Sequence, residues 1–305
     1  MLIFSVILII FIIIFFSGCY YCYWYAFKRD PKRQSAECDV PPSEHRKKVI
    51  ENIMFLMQTP FEDVEITSKD SLKLYGRYYH IKDDAPVAIL FHGYRSNSFR
   101  DGSGCFKLAR EYGLNILMPD QRSHGKSEGS SITFGIKEKY DCAQWVDYAV
   151  KRFGKDVKIV LIGLSMGAAT VMMASDIVSK ENVKGVIADC GFSSPKEILI
   201  EVAGQMKYPR KIAYFLVKTG AKLFGGFHTE ESSALTALQK TDIPVLFIHG
   251  EGDNFVPCRM SVDCHKACAS EKKLFTVPGA SHGMSYYVDT PGYTATVTDF
   301  LNKIL

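Results

Sequence analysis

From residue 86 onward the sequence keeps returning to short, almost wholly apolar runs. They are PVAILFHG (86–93), LNILMPD (114–120), VKIVLIG (157–163), VKGVIAD (183–189), PVLFIHG (244–250) and KLFTVPG (273–279). Each stops at a Gly, Pro or Asp, as a buried strand does on entering a turn. Between most of them lie stretches with helical spacing, over 100–112, 136–153, 166–179, 258–270 and 291–304. In the second of these, Ala143, Val146, Ala149 and Val150 recur at helical intervals. A strand apolar on both faces must be covered on both, and an alternating helix supplies the cover. The pattern therefore predicts an α/β domain with a mainly parallel sheet. Upstream, VEIT (64–67) and LKLYGRYYHI (72–81) predict two antiparallel strands turning near Lys69 and Asp70, preceded by a helix near 44–58. Residues 192–241 break the alternation with a long helix-like stretch between two strands, a candidate cap over a site. There is no internal repeat and no low-complexity tract.

The N-terminal segment obeys different rules. Met1 to Phe27 carries no charged residue, and LIFSVILIIFIIIFF (2–16) is almost pure aliphatic and Phe. SGCYYCYWYAF (17–27) and then KRDPKR (28–33) follow. Such a run is long enough to cross a bilayer, aromatic side chains suit the headgroup boundary, and basic residues favour the cytoplasmic side. The expected organisation is a single-pass anchor over 1–27, a linker with a short helix over 28–60, and a folded domain over 61–305. The expected location is the cell membrane, with the domain in the cytoplasm. A cleaved signal peptide would need a basic n-region before the apolar run. FSGC (16–19) is loosely like a lipoprotein box with Cys19 as its acceptor.

Composition narrows the function. The 305 residues carry a net charge of only +4, with no dense basic block, which argues against nucleic acid. The nine cysteines are odd in number and irregular in spacing, unlike a disulfide framework. Cys19 and Cys22 form a CxxC inside the apolar segment, outside any thioredoxin-like context. Cys264, His265 and Cys268 invite a metal reading but lack a clear fourth ligand, so packing is the plainer one. No metal and no cofactor is expected.

Within VLIGLSMGAAT (160–170), Ser165 stands between Gly163 and Gly167, after an apolar strand and before small residues that open a helix. A sharp strand-to-helix turn of this kind strains the serine backbone, crowds out side chains two residues away, and holds the hydroxyl at the carboxyl edge of the sheet. A serine hydroxyl needs a general base that is oriented by a carboxylate. Asp253 in GEGDNFVP follows one predicted strand, and His282 in PGASHG follows another. All three lie where parallel strands end, so they can converge on one sheet edge. Main-chain N–H groups of Met166 and of Tyr94, after Gly93 in FHGYRSN (91–97), are the candidate oxyanion donors. GKS in PDQRSHGKSEG (119–129) is not a phosphate loop, since Asp120 stands where glycine is required. Asp120, Arg122, His124 and Gly125 read as an architectural loop beside the site.

With HGY, DQRSHGKS, GLSMG, GEGDNFVP and ASHG all in place, residues 61–305 resemble the α/β-hydrolase-fold serine hydrolases. The branch indicated is that of the serine aminopeptidase-like and monoglyceride-lipase-like members. The resemblance implies an eight-stranded sheet, a Ser165–Asp253–His282 triad and acyl-enzyme chemistry without a cofactor. It leaves the substrate open. A small-molecule or lipid-like acyl ester fits a tethered site. A peptidase would need a group for a free amine, for which Glu230 and Glu231 are candidates. A binding module without activity is the alternative of another class. MKYPRKIAYFLVKTGAKLFGGFH (206–228) reads as a cap helix with solvated lysines, or else as a basic amphipathic element facing a membrane.

Overall fold

The computed structural model describes residues 2–36, 40 and 43–305. Glu37, Cys38, Asp39, Pro41 and Pro42, inside the expected linker, lie outside the described residues, as does Met1. The chain opens with α1 (Leu2–Ala26), a 3₁₀ turn at Pro31–Arg33 and α2 (Arg46–Gln58). Strands β1 (Glu62–Thr67), β2 (Lys73–Tyr79) and β3 (Val87–Phe91) follow, then α3 (Ser98–Tyr112), β4 (Asn115–Pro119) and α4 (Glu138–Phe153). Next come β5 (Ile159–Leu164), α5 (Met166–Ala174) and β6 (Val183–Asp189). The insertion holds α6 (Pro195–Gln205), α7 (Arg210–Gly220), a π turn at Ala221–Gly225 and α8 (Ala234–Leu238). The chain closes with β7 (Val245–Gly250), α9 (Arg259–Ala267), β8 (Lys272–Val277), α10 (Ser285–Val288) and α11 (Thr290–Ile304).

One eight-stranded sheet runs in the order β1-β2-β4-β3-β5-β6-β7-β8. The first two pairings are antiparallel and the rest parallel. The apolar runs are explained by cores on both faces. In β3, Val87, Ile89 and Phe91 enter one core beside Trp145 and Met172. Ala88 and Leu90 enter the other, beside Phe106 and Leu301. This alternation follows from the period of two along a strand.

The structure trims several expected elements. The helix after Ser165 ends at Ala174, not 179, where the Ser175 hydroxyl turns back to the Met172 carbonyl at 2.8 Å. The helix expected over 258–270 spans Arg259–Ala267, because Cys268 is extended. Parts of the expected linker pack on the domain. Lys28 bridges to Ser131, and Val49, Ile53 and Leu56 of α2 belong to the second core.

One buried ion cluster ties three of these segments together. Arg122, in the loop after β4, grips Asp141 of α4 with Nε and Nη2, both at 2.6 Å. The same guanidinium reaches Asp70 in the β1–β2 turn at 2.9 and 3.0 Å. Its side chain is 5% exposed, so the fork is desolvated and depends on its partners. Arg122→Met leaves the Asp141 carboxylate buried without its counter-charge. A loss of about 3–5 kcal/mol is expected in denaturant unfolding of the full chain, while Lys126→Met, at an exposed pair, changes it by less than about 1 kcal/mol.

Candidate active site

The turn from β5 to α5 sets the position of the candidate nucleophile. Ser165 has φ 56° and ψ −116°, a region that non-glycine residues rarely occupy. A Cβ on Gly163 would lie 2.2 Å from the Gly167 carbonyl oxygen. One on Gly167 would lie 2.0 Å from the Phe91 carbonyl oxygen of the neighbouring strand. Both glycines are therefore demanded by backbone approach. The Ser165 N–H donates to the Asp189 carbonyl at 2.9 Å, pinning the turn to β6.

The structure brings Ser165, His282 and Asp253 together. The hydroxyl of Ser165 stands 2.9 Å from Nε2 of His282, and Nδ1 of His282 stands 2.6 Å from Oδ2 of Asp253. A carboxylate at Nδ1 fixes the proton there and leaves Nε2 free to accept from the serine. Asp253 sits just beyond β7, where its Oδ1 accepts the N–H groups of Phe255 and Val256, each at 2.9 Å. Burial pushes its carboxyl up. Hydrogen bonds from His249 and His282 and from the Val256 main chain outweigh burial, and hold it well below the ordinary carboxylate range.

His249 is absent from the expected set, although it is the penultimate residue of β7. It is wholly buried, with Nε2 2.8 Å from the Val256 carbonyl and 3.2 Å from Oδ2 of Asp253. Its Nδ1 lies 2.6 Å from the Ser261 hydroxyl. Two acceptors around Nε2 place the proton on that nitrogen, so His249 supports Asp253 from behind. Cys190, also unexpected, lies within 4.8 Å of the ligating atoms of Asp253 and His282. Such a trio could suit a soft metal. Burial, however, pushes the Cys190 thiol far up, keeping it protonated, and the other two groups hold each other.

The candidate oxyanion turn is held by a second set of bonds. Gly93 approaches so closely that a Cβ there would sit 2.9 Å from Asp101 Oδ2 and 3.3 Å from Ser165 Cβ. The Gly93 N–H donates to Asp101 at 2.7 Å, and Arg95 N–H donates to Nε2 of His124 at 2.9 Å. Tyr94 is thus fixed between two anchored residues beside Ser165, while Met166 begins α5, where main-chain N–H groups lack helical acceptors. The DQRSHG loop acts as expected of architecture: His124 holds this turn and Arg122 its ion cluster. The other candidate ligands lie elsewhere. Cys264 is buried in the core, and His265 packs edge-on to Phe247 with ring centroids 5.8 Å apart.

Above Ser165 opens a cavity of about 430 Å³, within the ordinary size range of small-molecule sites. Its walls are mainly apolar: Phe134, Phe192, Ile198, Leu199 and Val202 from the domain and α6, with Leu216 and Val217 from α7. Gly18, Tyr21, Cys22, Tyr25 and Ala26 of α1 complete it. Arg95 brings charge to the rim.

A model of the alpha/beta hydrolase family matches residues 88–297. The chain belongs to that family. The uncharacterized protein YqkD of Bacillus subtilis is 27% identical over 250 residues, covering 80% of this chain and 82% of its own. The Pyrococcus furiosus esterase Pf2001 superposes with a TM-score of 0.68 at 23% identity, over 87% of this chain and 96% of its own. Est1E from Butyrivibrio proteoclasticus, solved with ferulic acid bound, gives 0.62 at 23% identity, over 79% and 98%. Within this alpha/beta hydrolase, His249 and Asp101 escaped sequence reasoning because each sits inside an element, one in a strand and one in a helix. A polar residue one step from a strand's carboxyl end was the available signal for His249.

His249→Ala removes one donor to Asp253 and leaves burial less opposed, so the Asp253 pKa rises. Expected is a drop in kcat/KM on a p-nitrophenyl ester of about tenfold, with partial recovery in His249→Gln, which can again donate towards Asp253. No recovery in His249→Gln assigns His249 to packing alone.

Proposed function

We propose that this chain is a membrane-anchored serine hydrolase that cleaves carboxylic ester or thioester bonds through an acyl-enzyme on Ser165. The observation that carries the reading is the unbroken relay from Ser165 through His282 to Asp253, at 2.9 and 2.6 Å, at the floor of an apolar cavity. As Ser165 Oγ bonds to the acyl carbon, His282 Nε2 takes its proton, and Asp253 stabilises the resulting imidazolium. The N–H groups of Tyr94 and Met166 hold the oxyanion. The C–O or C–S bond to the leaving group breaks, and the leaving group departs with the proton from His282. Water then gives its proton to His282 and its oxygen to the acyl carbon, releasing the acid and restoring Ser165. Side chains, two main-chain N–H groups and water carry these steps.

The esterase names of Pf2001 and Est1E support ester substrates. Local chemistry favours esters over peptides. Glu230 pairs with Lys196 at 2.7 Å and Glu231 accepts the His228 N–H at 3.3 Å, so neither candidate amine-binding carboxylate lines the cavity. The apolar wall suits an acyl or lipid-like group, in keeping with the monoglyceride-lipase-like branch. α1 is long and apolar enough to cross a membrane, by length and composition. An uncleaved anchor is supported by the packing of its last third: Tyr23 bonds Ser131 at 2.7 Å, and the Ala26 carbonyl accepts from Tyr94 at 2.8 Å. Removing this helix would strip a wall from the cavity. Lys28, Arg29, Lys32 and Arg33 just beyond it support a cytoplasmic domain at the cell membrane. The proposed organisation is anchor over 1–27, connecting segment over 28–60 and hydrolase domain over 61–305, capped by about 192–241.

A fluorophosphonate probe should label the wild type and not Ser165→Ala, whose ester turnover should fall by about 10⁶. Labelling that survives the substitution, or a folded wild type that never labels, defeats the assignment and favours an inactive binding module. Acyl esters should be cleaved faster than aminoacyl amides, and the reverse order makes the enzyme a peptidase.

A further inference from the structure

We propose that α1 is a wall of the substrate site as well as a tether, and that the α1–α7 seam is a portal admitting amphiphilic esters from the bilayer to Ser165. This rests on the serine-hydrolase reading and says where its substrate comes from.

Two adjoining stripes on α1 carry the argument. Cys19, Tyr23 and Ala26, with Phe27 beyond the helix, are buried against the domain at helical spacing. The neighbouring stripe, Gly18, Tyr21, Cys22, Tyr25 and Ala26, faces the cavity. Across the seam lie Ile212, Ala213, Leu216 and Val217 of α7. The helices meet closely: a Cβ on Gly220 would lie 2.3 Å from the Cys19 carbonyl oxygen. Phe15 and Phe215 have ring centroids 6.1 Å apart, and Tyr20 and Phe224 5.2 Å.

Helix length then sets the depth. Residues 2–14 are exposed all round, and at ~1.5 Å per residue they advance roughly 20 Å. The hydrocarbon core is about 30 Å thick, and any tilt lengthens the path. The missing roughly 10 Å must come from residues 15–21, the stretch that packs on α7. Phe215, beside Phe15, therefore sits at acyl depth. Its 50% exposure, with 62% for Ile212 and 49% for Leu223, has an explanation in lipid that it lacks in water. Lys207, Arg210, Lys211 and Lys222 flank these residues in the sequence and are exposed, and basic side chains of this kind suit anionic headgroups. The cap helix expected to keep its apolar face for the site thus presents apolar side chains on two sides. The occupant of the outer face is the bilayer.

The test uses the full chain in nanodiscs and a fluorophosphonate with a diazirine midway along its alkyl chain. After photolysis, peptide mass spectrometry should find Ser165 phosphonylated and the diazirine joined to residues 15–26 of α1 or 212–217 of α7. Adducts confined to α6 or to the Phe134 and Phe192 wall overturn the portal and leave the esterase intact. Failure to phosphonylate Ser165 removes both. As a second reading, Phe215→Glu with Leu223→Glu changes exposed positions outside the cavity wall. Turnover of a long-chain ester embedded in anionic vesicles should fall about tenfold or more, while a short soluble ester in detergent stays within about twofold. An unchanged vesicle rate, with or without a change in oligomeric state, overturns the proposal, and the latter change would assign the face to a second copy of the chain.

Discussion

The fold is organised around one backbone event, the reversal of direction between β5 and α5 at Ser165. Gly163 and Gly167 are hydrogen-only positions because carbonyl oxygens of Gly167 and Phe91 occupy the space a Cβ would need. Strain at Ser165, midway between them with φ 56°, is held by what surrounds it. The Asp189 carbonyl accepts its N–H from the β6 side, and Phe91 of β3 closes the other. A central strand flanked by two parallel neighbours is the place in a sheet best able to hold such a turn. The helix that follows carries Gly167, Ala168 and Ala169 in its first turn, so it can start close against the sheet.

Around that turn, each candidate group is oriented by a partner that has no contact with a reacting atom. Asp253 orients His282 and is itself held by His249 and two main-chain N–H groups. Gly93 is held by Asp101, and Arg95 by His124. His92 and Gln121 continue the network, the Gln121 N–H reaching His92 at 3.0 Å and the Thr170 hydroxyl of α5 reaching Gln121 at 3.0 Å. Buried polar networks of this kind are costly when broken and rigid when complete. Here the network links the ends of β3, β4, β5 and β7, so that the geometry of the site is a property of the sheet edge.

Much of this could be read from residue order. Apolar runs ending in Gly or Asp located the strands, and Ser165, Asp253 and His282 each followed one. What escaped was set by contacts made across the fold. His249 looks like the polar end of a strand, and only the return of residues 253–256 beside it gives it a partner. Asp101 is one more acid in the first turn of a helix until Gly93 lands on it. The packing of α1 against the domain was the largest omission. Buried and exposed positions of its last third share one composition, so Cys19, Tyr23 and Ala26 carry no mark in the sequence that distinguishes them from Tyr20, Tyr21 or Tyr25.

That ambiguity has a physical consequence for the enzyme. A tether need only be long and apolar, and its sequence could drift freely within those bounds. A cavity wall is tied to its neighbour, because Gly220 must admit the Cys19 carbonyl, whose oxygen would lie 2.3 Å from an added Cβ. The aromatic ladder of Tyr20, Tyr23, Phe27, Phe224 and Phe227 further locks the helix against the end of the cap. Motion of the cap therefore cannot be independent of the anchor. Opening the cavity by swinging α7 outward means breaking these contacts with α1. Under the proposed portal, lipid thickness and tilt would reach Ser165 through that same seam.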